Sequence, residues 1–427
     1  MASSLPSLHV TGVAVGGDGL ARDESGRVVL VAGALPGEEV RAEVVDARKG
    51  HARAVVAEVL SAAPARVVPP CPRAVEGCGG CGWQHVAAPA QRGLKVAMVE
   101  DALRRLGGLA EPVVGPGPVL PATGYRTTVR GVAGPDGRVG LRRYRSHDLV
   151  AIPDCQVADP LVAAVLAEGR FPPGAEVTVR AGARTGERLV VVDGVGADEV
   201  TGGDDSVVVP EGVRVVTGAE LDAGKRAWLH EEVAGRRLRV SARSFFQSGP
   251  AGAEALVAVV GAAAGPLTPD DHLVDLYGGV GLFAATLAGP EVRVTLVESS
   301  PSAAADARVN LRRPGPGTGE ADGGGPGRGT AAAVKVVRGD VARWRSRRAT
   351  VVVADPPRAG LGRGVVRSVV ATGAPVVVLV SCDAGALGRD TALLTGAGYR
   401  FTGATLVDQF VGTPHVEVVS RFERERR

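Results

Sequence analysis

Between residue 8 and about residue 60, apolar and polar positions alternate, and glycine breaks the alternation at short intervals. Val28 to Val31 and Val40 to Val45 read as strands, with turns at Gly17-Asp18-Gly19 and Pro36-Gly37. Several short strands at this spacing predict a small β-barrel. The next pattern is different: APAQRGLKVAMVEDALRRLGGL repeats its apolar positions at helical spacing and stops at Gly107-Gly108. Strand-like stretches follow in GYRTTVRGVAG, VGLRRYR, EVTVRAG and ERLVVVDG, which predicts an antiparallel α+β region. From about residue 241 the alternation gives way to continuous Val/Leu runs, each closed by a glycine turn and a helix-like stretch. Such runs are strands of a parallel sheet buried on both faces. The segment 315–330 is rich in glycine and reads as a loop. Three regions result: 1–62, 63–240 and 241–427.

Composition narrows the setting. A chain of 427 residues with 45% hydrophobic residues can bury several cores, which excludes disorder throughout. No apolar run is long enough for a bilayer, and MASSLPSLHV lacks a basic stretch followed by an apolar one, so a cytoplasmic protein without membrane contact is expected. A monomer is expected as well. The net charge is only +3, but its carriers are almost all arginine, the lysines being Lys49, Lys95, Lys225 and Lys335. Arginine clusters in LRRYR, GRRLR and RWRSRR suit phosphate and stacked bases; solvated surface is the bland reading of each.

The cysteines divide four to one. Cys71, Cys78 and Cys81 stand together in CPRAVEGCGGCGWQH, Cys155 follows in AIPDCQV, and Cys382 stands apart in VVVLVSCDAG. In a reducing compartment four thiols at this spacing point to a zinc ion or an iron–sulfur cluster, not to disulfides. Cys382, where a hydrophobic strand meets a loop, occupies a place suited to a nucleophile. A buried inert thiol is the ordinary alternative, and the polar neighbours Ser381 and Asp383 count against it.

DLYGGVGLF, residues 275 to 283, joins an apolar strand to a helix through glycines that let a ligand approach the backbone. Glu298 ends the following strand, where a carboxylate can accept ribose hydroxyls. These two features fit a nicotinamide dinucleotide as well as S-adenosylmethionine. Asp340 after the third strand and Asp355-Pro356-Pro357-Arg358 after the fourth favour S-adenosylmethionine. In the tail, His415 and Glu417 are expected on one face of a strand. Buried beside a reactive centre, Glu417 becomes a candidate general base, whereas His415 is assigned structure or substrate contact.

Taken in order, the spaced cysteines, SFFQ, DLYGGVGLF, DPPRAGL, SCD and HVE resemble the RNA uracil-5-methyltransferases, across nearly the whole chain. The likeness is to the 23S ribosomal RNA branch, which carries an N-terminal TRAM domain; GGDGLAR and LPGEEVRAEV are similar to that RNA-binding barrel. The resemblance implies a multi-domain fold: an OB-like β-barrel, a central α+β domain with an iron–sulfur site, and a C-terminal α/β Rossmann-like class I methyltransferase domain. It implies that Cys71, Cys78, Cys81 and Cys155 ligate a 4Fe-4S cluster. It implies Cys382 as nucleophile, Glu417 as base, and Gln247, Tyr277, Glu298, Asp340 and Asp355 as contacts to S-adenosylmethionine. The expected partner is RNA, 23S ribosomal RNA first and transfer RNA second.

The chain departs from the family pattern at Gly278, where many members have cysteine, at Ser248-Gly249 after Gln247, and in the long 315–330 segment. Two other functions compete. Methylation of an exocyclic adenine nitrogen has no use for Cys382 and usually places an aromatic where Arg358 stands. An inactive RNA-binding or redox-sensing protein has no need of Cys382 or Glu417, and both are present.

Overall fold

The structure, a computed structural model, describes residues 4–144, 146–194, 207–312 and 332–425. The glycine-rich 315–330 segment lies outside the described residues.

Five strands close the N-terminal barrel: β1 (Ser4–Val13), β2 (Gly19–Arg22), β3 (Val28–Ala32), β4 (Glu39–Ala47) and β5 (His51–Ser61). The alternation explains the closure, because Val40 and Ala42 point inward with Leu8, Val10, Val29 and Val31 while Glu39, Arg41 and Glu43 face out. Glu38 is buried beneath this barrel and is fully used. It accepts from Leu35 N at 2.8 Å, Ala63 N at 3.2 Å and Arg66 Nη2 at 2.7 Å, tying the exit of β5 to the turn before β4.

The helix Ala88–Arg105 forms where its periodicity predicts, but its buried stripe is mixed: Gln91 and Lys95 at one end, then Met98, Val99, Ala102 and Leu103. The apolar end packs on the C-terminal region, against the helix Ala384–Gly396. A short strand, β6 (Val114–Pro116), also pairs there. The middle region supplies a six-stranded sheet from β7 (Thr128–Ala133), β8 (Val139–Arg142), β9 (Leu149–Ala151), β10 (Glu176–Ala181), β11 (Arg188–Asp193) and β12 (Val213–Thr217). The helix Pro160–Glu168 covers it with Val162, Val165 and Leu166. A separate hairpin of β13 (Trp228–Val233) and β14 (Arg236–Ser241) leads onward.

The C-terminal sheet adds β15 (His272–Leu276), β16 (Arg293–Glu298), β17 (Val334–Arg338), β18 (Val351–Ala354), β19 (Val376–Ser381), β20 (Tyr399–Leu406) and β21 (Val418–Arg424). With β6 its order is β17-β16-β15-β18-β19-β21-β20-β6. The five strands from β15 to β19 run parallel, and β21 runs antiparallel between β19 and β20. Every residue of β15 and β18 is buried, as strands covered on both faces must be. Two cores flank the sheet, one under the helices Ala88–Arg105, Gly362–Ala371 and Ala384–Gly396, the other under Pro250–Ala264 and Leu282–Leu287. The strand order reverses between β15 and β18, so a crevice opens at their carboxyl ends. Among the described residues no helix is long and apolar enough to cross a membrane.

Candidate active site

Strand ends deliver the functional groups to that crevice. Asp355 follows β18, Cys382 follows β19, Glu298 ends β16, and Tyr277 with Gly279 follows β15. Gln247 reaches the same cleft, of about 980 Å³, from the loop after the β13–β14 hairpin, and Glu417 reaches it from the β20–β21 connection. Six of the seven catalytic and cofactor candidates therefore share one space. Asp340 is the exception: its carboxylate is 60% exposed, and it caps the next turn through Ala342 N at 2.9 Å.

The glycine turn is shaped by backbone geometry. Tyr277 adopts φ 59°, a left-handed conformation that costs a non-glycine residue of order 1 kcal/mol, and Gly279 and Gly281 follow at φ 53° and 92°. Glu298 holds this turn by accepting from Gly279 N at 3.0 Å, and it accepts from Ser300 N at 2.6 Å. At Gly278 a Cβ would fall 2.5 Å from Leu296 Cγ, so this chain places Leu296 where a side chain at 278 needs space. That links the glycine departure to a packing partner on β16.

Gln247 is set by the loop that carries it. Asp306, fully buried on the helix Pro301–Asn310, accepts from Arg239 Nε at 2.7 Å, Ser241 N at 2.8 Å and Ser244 Oγ at 2.7 Å. On the far side Thr127 N donates to Ser248 O at 2.8 Å. Held at both ends, the loop buries Gln247 and leaves Phe245 71% exposed.

The charges are concentrated on buried acids. Burial pushes the Asp355 carboxyl up to about 7. Glu417 is held well above the usual carboxylate range by burial and by Asp355, with a hydrogen bond from Gln409 pulling the other way. Burial, then Glu417 and Asp355, push the Cys382 thiol up to about 11, and Arg358 opposes them. Asp275, on β15 level with Val353, is pushed up to about 8 by burial and keeps Oδ1 without a partner. Two acids and a thiol facing one cleft resist being charged together; such a site accommodates a cationic ligand.

The tail differs from its expectation. β21 begins at Val418, so His415 and Glu417 lie before the strand, and they differ in exposure: His415 is exposed and Glu417 is buried. What holds this connection was not read from the sequence. Lys95, fully buried, donates to Asp408 Oδ1 at 2.6 Å and to Phe410 O at 3.1 Å. Gln91 Oε1 accepts from Gly412 N at 2.8 Å, Trp83 N donates to Gly412 O at 2.8 Å, and Tyr125 Oη donates to Val411 O at 3.0 Å. Trp83 Nε1 in turn donates to Gly17 O of the barrel at 3.1 Å. The polar end of the Ala88–Arg105 stripe was the available signal, since a buried lysine needs an acid.

Cys71, Cys78, Cys81 and Cys155 line a second cavity, walled by Val129, Leu141, Ile152 and Val157. Arg73 ties its two parts together by donating to Glu76 Oε1 at 2.7 Å and to Asp154 Oδ1, beside Cys155, at 2.8 Å. Burial pushes the Cys81 thiol up to about 11 against the Gln84 side chain, and Cys155 and Cys78 add to the rise. Among the described residues, no three His, Cys, Asp or Glu side chains stand close enough to hold one metal ion. The donor set is thus four thiols around a shared apolar space, without a preformed single-ion site.

Comparison with known proteins agrees with this layout. Residues 8–57 match the TRAM domain. An uncharacterized RNA methyltransferase of Streptomyces avermitilis is 36% identical, over 96% of each chain. The 23S rRNA (uracil(1939)-C(5))-methyltransferase RlmD of Halomonas elongata is 31% identical, over 96% of this chain and 88% of that protein. The fold is shared with Pyrococcus abyssi tRNA (uracil-54, C5)-methyltransferase, solved with S-adenosyl-L-homocysteine, at a TM-score of 0.69 and 22% identity, covering 98% of this chain and all of that one.

Proposed function

The chain belongs to the RNA uracil-5-methyltransferase family, and on that footing we propose that it methylates C5 of a uridine in structured RNA, 23S ribosomal RNA first, with Cys382 as nucleophile and Glu417 as base. One observation carries the reading: a thiol and a buried carboxylate from different elements open onto one cleft with Gln247, Tyr277, Glu298 and Asp355.

The residues fit S-adenosylmethionine. The glycine turn at Gly278-Gly279 admits close approach, Glu298 stands where ribose hydroxyls would be accepted, and the raised Asp355 and Glu417 suit a cationic group. Gln247, Tyr277, Glu298 and Asp355 would hold it, with Asp340 at the rim. Bound there, S-adenosylmethionine supplies an electrophilic methyl group. Uracil C5 is too weakly nucleophilic to take that group unaided. With its thiol proton lost to solvent, Cys382 would add to C6 and move the C5–C6 π electrons to C5, which would take the methyl carbon as the methyl–sulfonium bond breaks, that electron pair leaving with sulfur as S-adenosylhomocysteine. C5 now carries both methyl and its original proton. Glu417 removes the proton, the C–H electron pair restores the C5–C6 double bond, and the C6–S pair leaves with sulfur as thiolate. Enclosing these groups in a cleft requires the target base to leave its stack.

We further infer that Cys71, Cys78, Cys81 and Cys155 ligate a 4Fe-4S cluster. One zinc ion requires four sulfurs each about 2.3 Å from a single point. Four thiols lining one cavity are the donors that a cluster uses, one thiolate per iron. Bound, such a group would join the Cys71–Cys81 loop covalently to Cys155.

The test is transfer of labelled methyl from S-adenosylmethionine to unmodified 23S ribosomal RNA and to transfer RNA transcripts, followed by nucleoside mass spectrometry. The proposal expects 5-methyluridine in the ribosomal RNA and none with Cys382→Ala. Label on transfer RNA alone would move the substrate to that branch. Methyl on adenine, or full activity of Cys382→Ala, would overturn the reading.

A further inference from the structure

Gln409 sits in the β20–β21 connection, 2% exposed, outside the set of groups that face the methyl donor and the nucleophile. Its side chain bridges the two cleft residues that have no direct bond to each other. Nε2 donates to Glu417 Oε2 at 3.2 Å and to Gln247 Oε1 at 3.0 Å. The amide is oriented from the other side, where Ser248 Oγ lies 3.4 Å from Gln409 Oε1 as its donor. Its backbone is equally constrained. Gln409 N donates to Val407 O at 2.9 Å, and both chain neighbours, Asp408 and Phe410, are bound by Lys95. There is no slack behind it: a Cβ on Gly252 would come within 2.9 Å of Gln409 Oε1 and 3.0 Å of its Cβ.

The two oxygens of Glu417 are therefore unequal. Oε2 is held by Gln409, while Oε1 is buried with no partner. A buried acceptor without a donor is costly, and it persists at sites where a ligand supplies the donor. We propose that Gln409 is a positioning residue for the base step: by clamping Glu417 Oε2 it fixes the carboxylate so that Oε1 meets the C5 proton. The inference rests on Glu417 being the base. Asp355 and Cys382 face Glu417 across the same cleft, yet neither hydrogen-bonds it, so the clamp comes from Gln409 alone among the described residues.

A clamp on the base has a specific kinetic signature. Methyl transfer to C5 precedes proton removal, so loosening Glu417 slows only the elimination and leaves RNA attached to Cys382. The experiment uses the full chain, labelled S-adenosylmethionine and whichever unmodified transcript the wild type methylates, in single turnover. It reads total methyl incorporated and the share of labelled RNA in a band resistant to denaturing detergent. Gln409→Met removes the donor at similar volume, and Gln409→Glu keeps the shape while replacing the amide donor. With S-adenosylmethionine saturating, because Gln409 also donates to Gln247, both are expected to raise the attached share of methylated RNA about ten-fold, part of the hundred-fold or more a general base supplies. Thermal melts show which variants fold, and the two substitutions stress the site differently, one by shape and one by charge.

An attached share equal to wild type in a folded variant would overturn the proposal. So would a parallel loss of methyl incorporation and product, which marks general disruption. Glu417→Gln separates the premise: with the base removed, methylated RNA must stay attached. If Glu417→Gln releases free 5-methyluridine RNA at the wild-type rate, the base assignment falls and the inference falls with it.

Discussion

The four-thiol cavity and the Cys382 cleft both bury sulfur, and in both burial raises the thiol, with Cys81 and Cys382 each pushed up to about 11. Their surroundings differ. In the cavity the thiols face one another across Val129, Leu141, Ile152 and Val157, and Cys155 and Cys78 raise Cys81 while Gln84 and Arg126 oppose them. In the cleft one thiol faces two carboxylates and an arginine, on walls lined with polar groups. A raised thiol is thus no sign of an inert one. In the cavity a resident metal centre would hold several thiolates charged together. In the cleft a cation that comes and goes can switch one thiol between resting and reactive states.

Substitutions should separate the two places, and the largest effect is expected at the nucleophile. Cys382→Ala should lower 5-methyluridine formation at least about a thousand-fold, as loss of a covalent nucleophile does, while iron content and melting temperature stay at wild-type values. Cys81→Ser should do the reverse on iron, measured by elemental analysis and absorbance after anaerobic purification. Equal iron in both proteins would erase the distinction drawn between the sites.

The next effect concerns what joins the two places. Cys81 lies against the 408–417 connection, its Sγ 4.0 Å from where a Gly412 Cβ would be. Lys95→Met leaves Asp408 buried without its partner at 2.6 Å. Breaking such a pair costs about 3–5 kcal/mol, readable by urea unfolding, and Asp408→Asn added to Lys95→Met should recover part of it. Loss of the proposed cluster from Cys81→Ser should be milder, lowering Tm by about 5 °C, the shift that about 2 kcal/mol produces in a domain of 150–250 residues.

The smallest effect tests the cleft's charge. Cys382 should react with iodoacetamide about ten-fold faster with S-adenosylmethionine bound than with neutral S-adenosylhomocysteine. That is the change expected when one pKa unit of carboxylate repulsion is offset. Peptide mass spectrometry of the Cys382 site reads it directly. Identical rates would mean that the thiol does not sense the cation.

Much of this was legible in the sequence where a local rule applied. Val40 and Ala42 alternate with Glu39 and Arg41, and the strand follows. The Val/Leu runs of β15, β18 and β19 announce a buried sheet because every position is apolar except His272, Asp275 and Ser381. The four cysteines were grouped by spacing, although Cys155 reaches the cavity only through the fold. Long-range pairing was not legible. Nothing local says that Lys95 meets Asp408, that Asp306 anchors the loop before Gln247, or that Gln409 bridges Gln247 and Glu417. The strand expected at His415 starts three residues later, because Gly412 and Thr413 are held in a turn by Gln91, Trp83 and Phe410. Asp340 follows its strand as expected, yet its carboxylate caps a turn at the rim.

The proposed sulfur–carbon bond between Cys382 and uracil C6 is tested most directly with RNA made with 5-fluorouridine. Fluorine at C5 leaves no proton for Glu417 to remove, so elimination stops after addition and methyl transfer. Wild-type protein with S-adenosylmethionine should then form a complex stable to denaturing detergent, with the nucleotide on the peptide containing Cys382. No such complex from a preparation that makes 5-methyluridine on ordinary RNA, or an undiminished complex with Cys382→Ala, would contradict the account.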